Sequence, residues 1–209
     1  MTWHDDAMSN VYEEVTFRPM FGRVLAGCIM AICAATGLSI ATDSLTAVLH
    51  AWPWLILVGG GAWSLYWQPR VVVTPGGVRV VNIFRTFDVS WPAITGIDTR
   101  WALELQTASG DVRAWAAPAP GPSFVRRMAS ADSRVPGRRR NETIRPGESP
   151  SSDSGAAALI VRQRWDKLRD AGHLDNPMME RTKPTVTMHR SLIASTAAIA
   201  IACVLTVVV

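Results

Sequence analysis

Residues Val24–Thr42 read VLAGCIMAICAATGLSIAT and contain no charged side chain. A helix of this stretch would be about 28 Å long, which is close to the roughly 30 Å hydrocarbon core of a bilayer. The stretch follows an acidic segment with Asp5, Asp6, Glu13 and Glu14, whereas a cleaved signal peptide opens with a short basic segment. We therefore expect a retained transmembrane helix.

Two further stretches share this character. One runs from about Ala47 to Trp67, with aromatic residues at both ends and Pro53 in its first turn, and the other is residues 191–209. The alternative is a buried helix of a soluble protein, but such helices are rarely apolar over about 18 unbroken residues. The sequence predicts a transmembrane hairpin over 21–67 (helices at about 24–42 and 47–67) and a C-terminal transmembrane helix.

The basic residues predict how these helices are oriented. No Lys or Arg lies between Arg23 and Arg70, and all but two of the 21 basic residues fall between Gln68 and Ser191. Basic loops stay on the cytoplasmic side of the inner membrane. We expect a multi-pass protein with a cytoplasmic N-terminal segment (1–20), a cytoplasmic region (68–190) and an external C-terminus.

Residues 68–117 have the pattern of a small β domain. Short Val-rich runs are separated by turn sequences, and Leu103 and Leu105 alternate with Glu104 and Gln106. Such alternation is typical of antiparallel strands with one buried face. Five or six strands at about ten-residue spacing predict a sandwich or barrel.

The region after the β domain divides into three segments. Residues 118–154 form a linker rich in Arg, Pro and Ser, residues 155–172 have the pattern of an amphipathic helix, and residues 173–190 connect to the last transmembrane helix. Ala158, Val161, Trp165 and Leu168 share one face of the predicted helix. We expect this face to pack on the β domain.

The stretch Arg70–Ile97, RVVVTPGGVRVVNIFRTFDVSWPAITGI, resembles the bacterial PH domains of small actinobacterial membrane proteins of the low-molecular-weight-antigen type. The shared features are the Gly76–Gly77 turn, Asn82, and Trp91 followed by Ile94. The resemblance implies a PH-like antiparallel β-sandwich or barrel, capped by one amphipathic helix. Together with the three transmembrane helices expected from the apolar stretches, this makes the expected fold class an α+β membrane protein.

One departure from PH domains that bind phosphoinositides concerns the first hairpin loop. In those domains Lys and Arg surround a roomy loop, whereas Thr74–Gly77 is short and lacks a basic residue. Only Arg70 and Arg79 flank it. The resemblance therefore implies the fold more than a particular ligand.

The linker contains the densest group of charges in the chain. Seven arginines, with few acidic neighbours, form a hypothetical lipid- or partner-binding segment: Arg126, Arg127, Arg134, Arg138, Arg139, Arg140 and Arg145. Each Arg next to a surface of anionic lipid contributes about 1 kcal/mol of attraction to that surface. The alternative is a solvated segment that only sets the topology. Nucleic-acid binding is not expected, because no aromatic residue is interleaved with these arginines.

Three tryptophans and one isoleucine are predicted to fill the core of the domain: Trp91, Trp115, Trp165 and Ile94. A ligand pocket formed by Trp91, Trp101 and Trp115 is the alternative.

No motif for catalysis stands out. The four histidines are scattered, no nucleotide-binding loop is present, and Cys28, Cys33 and Cys203 lie in apolar stretches. We expect no enzyme, no cofactor and no metal site.

The sequence favours a membrane-anchored PH-like binding or scaffold module with membrane lipid and a protein as partners. Recognition of anionic headgroups, or a role as accessory subunit of a larger membrane complex, are the alternatives, and the sequence leaves homo-oligomers open.

Overall fold

The structure is a computed structural model that describes residues 14–118, 152–174 and 183–208. Its helices are α1 (Met20–Asp43), α2 (Leu45–Ala62, continued by a π-helical turn, Trp63–Trp67), α3 (Asp153–Asp170) and α4 (Arg190–Val208). Its strands are β1 (Val15–Phe17), β2 (Arg70–Val73), β3 (Gly77–Val81), β4 (Arg85–Ser90), β5 (Ile94–Asp98), β6 (Ala102–Thr107), β7 (Val112–Pro118) and β8 (Thr185–Met188).

The chain divides into two compact units. Among the residues that the structure describes, the β unit contains those up to Arg18, Arg70–Val81 and those between Phe87 and Val186. The helical unit contains Pro19–Pro69, Asn82–Thr86 and the chain from Thr187 onward.

In the helical unit, α1 and α2 form an antiparallel hairpin that turns at Ser44, whose N–H donates to the Ile40 carbonyl at 3.3 Å. Glycines allow the two helices to approach closely: Gly37 lies against Leu55, and Gly59 lies against Cys33. The third apolar helix packs on α2, and the Trp54 indole donates to the Thr206 hydroxyl at 3.2 Å.

In the described part of the chain, three helices are long and apolar enough to cross a membrane: Met20–Thr42, Leu45–Trp67 and Arg190–Val207. Few of their side chains are buried, and large apolar residues such as Ile32 and Val204 are more than 60% exposed. Exposing so much contiguous apolar surface to water would be costly. These helices therefore need an apolar environment or further protein around them.

The strands are arranged in two antiparallel sheets. One sheet has the strand order β1-β2-β3-β4-β8, and the other has the order β5-β6-β7. In the first sheet Val71 lies opposite Val80, and in the second Ile97 lies opposite Leu105. The two sheets share one core, in which the valines of β2 and β3 meet Leu103 and Leu105 of β6.

Helix α3 covers this core with its small residues Ala157, Ala158 and Val161, each at most 1% exposed. Its first turn is capped by Ser152, whose hydroxyl accepts a hydrogen bond from the Gly155 N–H at 3.0 Å. The helix begins two residues before the start predicted from the sequence.

The structure also differs from the predictions in three places. Strands β1 and β8 lie in segments that were predicted only as an N-terminal segment and a connector. Trp115 was predicted in the core, and this prediction is wrong, because 52% of its surface is exposed. The alternation along β7 places Val112 and Ala114 inside, so that the side chain of Trp115 faces outward.

Candidate functional site

The seven linker arginines that the sequence singled out lie outside the described residues. Arg126, Arg127, Arg134, Arg138, Arg139, Arg140 and Arg145 fall between 119 and 151. Their binding role stays a prediction, and the site must be sought in the described part of the chain.

The first hairpin loop of the β unit is closed by its own hydrogen bonds. The Thr74 hydroxyl donates to the Gly77 carbonyl at 2.9 Å, and the Trp91 indole donates to the Thr74 carbonyl at 3.1 Å. A Cβ on Gly77 would lie 2.1 Å from the Val89 carbonyl oxygen, so β3 and β4 touch here through their backbones. The loop has neither the room nor the cations for a phosphate.

The charge of Arg79, the basic residue just after this loop, is engaged locally. Its Nε lies 2.5 Å from Asp88 Oδ1 on the neighbouring strand β4. This hydrogen bond, followed by the attraction between the two charges, raises the pKa of Arg79 above its ordinary value. An anionic ligand at Arg79 would therefore compete with Asp88 for the positive charge.

A more open surface lies on the outer side of the three-stranded sheet. We call it the tryptophan face and define it by Glu104, Gln106, Arg113 and Trp115. Glu104 and Arg113 lie opposite each other in the register, and their side chains form an ion pair at 3.2 Å. Exposed Trp and Arg beside a paired carboxylate are the residue types that dominate protein–protein contacts.

The alternative of a pocket formed by Trp91, Trp101 and Trp115 has no support in the structure. Trp91 is 3% exposed and packs in the core, whereas Trp101 is 66% exposed in the β5–β6 turn, where the Arg100 guanidinium lies 5.5 Å from its ring centre. Ile94 is buried beside Trp91, and Trp165 of α3 is partly buried against the core. The tryptophans therefore have three separate roles in core, turn and surface.

Two arginines of α3 were missed by the sequence interpretation. Arg162 donates to the Ile97 carbonyl of β5 at 3.1 Å, although it is not among the residues of the predicted apolar face. Arg164 is only 8% exposed. Its position three residues after the buried Val161 was the signal that could have placed it on the inner face.

One end of the helical unit collects polar and aromatic side chains. We call it the basic end and define it by Arg23, Trp67, Gln68 and His189. There the Arg23 guanidinium lies 4.8 Å from the centre of the Trp67 ring. The next residue, Gln68, contacts His189 Nδ1 through its Nε2 at 3.1 Å. The beginning of α1, the end of α2 and the beginning of α4 therefore meet at this end.

Metal binding has no support in the part of the chain that the structure describes, where no group of three or more His, Cys, Asp or Glu side chains is close enough to share an ion. Cys28, Cys33 and Cys203 are free thiols.

Comparison with known proteins gives one match. Residues 68–145 match the family model described as bacterial PH domain. No curated protein and no solved structure matches the chain significantly. The match confirms the PH-domain part of the resemblance, while the actinobacterial membrane-protein type stays a prediction. PH domains are generally non-catalytic binding modules, and residues 68–145 are similar to the bacterial members of that class.

Proposed function

We propose that this chain is a non-catalytic binding module, anchored in the cytoplasmic membrane, that holds a PH-like domain at the inner face for a protein partner. Helices α1, α2 and α4 span the membrane, with residues 68–190 in the cytoplasm and the C-terminus outside. The PH-domain match supports a binding role, and the three apolar helices support the anchor.

The distribution of charge along the helical unit supports this orientation. Its arginines are Arg23, Arg85 and Arg190, and Asp43 lies at the opposite end of α1 from Arg23. Positively charged ends of membrane helices remain cytoplasmic. The basic end therefore faces the cytoplasm in our proposal.

The exposure of Trp115 is the observation that supports a protein partner for the PH-like domain over a lipid headgroup bound by it. The first hairpin loop is closed and Arg79 is paired, so the fold offers no ready anion site there. The tryptophan face instead offers a large aromatic side chain between polar neighbours. Burial of such a tryptophan contributes about 2 kcal/mol or more in protein interfaces.

A matched pair of variants tests this proposal. The full chain is purified in mild detergent after cross-linking in cells, as wild type, Trp115→Ala and Trp101→Ala. A stoichiometric partner should co-purify with wild type and with Trp101→Ala. The amount of partner recovered with Trp115→Ala should be about 30-fold lower. No stoichiometric partner in any sample, or equal recovery with all three proteins, would reject a protein contact at the tryptophan face.

Recognition of anionic lipid is the second candidate, favoured by the seven arginines between Arg126 and Arg145. Here the full chain is placed in nanodiscs of neutral lipid, or of neutral lipid mixed with phosphatidylglycerol. Lipid attachment predicts severalfold slower trypsin cleavage of the linker with the anionic lipid, and loss of this protection at high salt. Equal cleavage in both lipids would eliminate this candidate.

A further inference from the structure

The turn between β3 and β4 has an unusual composition. The Asn82 N–H donates to the Arg85 carbonyl at 2.9 Å, which places Ile83 and Phe84 at the tip of the turn. Phe84 is 45% exposed, and Ile83 is half-buried. Water-facing hairpin turns favour Gly, Asn, Asp, Pro and Ser at such positions. Two large apolar residues at this tip indicate an apolar surrounding.

His189 fixes this turn to the start of α4. Its backbone N–H donates to the Phe84 carbonyl at 3.0 Å, and its Nδ1 lies 3.1 Å from the Ile83 carbonyl oxygen. Its Nε2 lies 2.9 Å from the Thr86 hydroxyl. The carbonyl of His189 accepts the first hydrogen bond of the helix, from the Ile193 N–H at 3.1 Å. The tip of the turn is therefore held at the level where the apolar helix begins.

Arginines lie at and near the turn. Arg85 and Arg190 are exposed, and Arg23 lies at the same end of the helical unit, over Trp67. Asp43, the acidic residue in the sequence of the helical unit, is the last residue of α1. A surface with an aromatic tip and a ring of arginines complements the boundary between acyl chains and anionic headgroups.

We propose that the Asn82–Arg85 turn is an interfacial membrane anchor. Phe84 and Ile83 enter the headgroup layer toward the acyl chains, and Arg85 and Arg190 lie beside the phosphates of anionic phospholipid. This inference rests on the proposed spanning of the membrane by the three helices. It assigns a lipid contact to a turn of the PH-like segment, separate from the first hairpin loop and from the arginine-rich linker.

Depth measurements with spin labels test the anchor. In a background with Cys28, Cys33 and Cys203 replaced by alanine, a nitroxide is attached to Phe84→Cys or to Leu38→Cys, in nanodiscs containing phosphatidylglycerol. Accessibility to oxygen relative to a water-soluble nickel complex then reports the depth of each label. Leu38, 71% exposed on α1, marks the hydrocarbon core, and the free label in buffer marks water.

The anchor predicts an oxygen-to-nickel ratio at residue 84 that is severalfold above the free label and below the ratio at residue 38. A ratio equal to that of the free label, with residue 38 deep, would overturn the anchor alone. A water-like ratio at residue 38 would overturn the proposed spanning as well. If Phe84→Cys does not fold, Arg85→Cys, exposed in the same turn, replaces it. Because residue 85 lies beside the phosphates in the proposal, its ratio should exceed that of the free label by a smaller factor, and a ratio equal to that of the free label would overturn the anchor.

Discussion

Replacing Gly77 by alanine should destabilise the β unit strongly, because the new methyl group has no space. Its Cβ would lie 2.1 Å from the carbonyl oxygen of Val89 and 2.9 Å from the Cα of Ser90. Both are backbone atoms of a neighbouring strand, so no side-chain rotation relieves the clash. Overpacking of this kind costs typically 1–3 kcal/mol, and we expect about 3 kcal/mol here.

The neighbouring Gly76 provides the matched control. A Cβ at Gly76 would have no heavy atom within 4 Å. The φ angle of Gly76 is not positive, so its backbone conformation suits alanine. Gly76→Ala should therefore leave stability unchanged or raise it by about 0.4–1 kcal/mol. The two variants differ by one position and carry the same chemical change.

The assay is thermal unfolding of the full chain in mild detergent, followed by the near-ultraviolet circular dichroism of the tryptophans. A loss of about 3 kcal/mol corresponds to a decrease in Tm of roughly 12–24 °C for a domain of this size. Tm values of Gly77→Ala and Gly76→Ala that lie within a few degrees of each other would refute the close backbone contact of β3 with β4 at Gly77.

Three further predictions follow from single side chains. Trp91→Ala should lower the free energy of unfolding by about 3–5 kcal/mol in the same assay, because Trp91 is 3% exposed. Trp101→Ala, at an exposed position, should change it by no more than about 0.5 kcal/mol. Equal losses of stability would contradict the assignment of Trp91 to the core and Trp101 to the surface. Burial raises the pKa of Asp153 above its ordinary value of 3.8, so the folded state holds the proton more tightly than the unfolded state. The resulting stabilisation is complete only below the unfolded pKa and is lost as the pH rises through the raised folded pKa. Asp153→Asn should remove this dependence in denaturation midpoints measured across the acidic range, and an unchanged pH profile would contradict it. His189→Ala should increase hydrogen exchange of the amides in the Asn82–Thr86 turn about tenfold, because side-chain hydrogen bonds of about 1 kcal/mol each are lost; unaltered exchange would contradict the role of His189.

The apolar helices and the central strands could be predicted from the sequence because their patterns are local. A long stretch without charge, or alternation such as Leu103 and Leu105 around Glu104, depends on neighbours in the chain. The helix Asp153–Asp170 was also predictable, from its capping serines and its apolar face. These features required no knowledge of distant contacts.

Features that depend on distant partners could not be predicted. Strand β1 has three residues and forms by pairing with β2, more than fifty positions away. Trp115 faces outward because the even-numbered residues at the start of β7, Val112 and Ala114, face the core. The large apolar side chain of Trp115 had suggested that it would be buried. The hydrogen bonds of His189 with the β3–β4 turn join residues about a hundred positions apart. No local pattern indicates such a contact.

The central claim is that the helices cross the membrane with the PH-like domain on the cytoplasmic side. Single cysteines at Ser44, in the α1–α2 turn, and at Ser109, in the β6–β7 turn, test it in the cysteine-free background. A membrane-impermeant maleimide added to intact cells should label residue 44 at once and residue 109 only after the membrane is permeabilised. Labelling of residue 109 in intact cells, or protection of residue 44, would contradict the account.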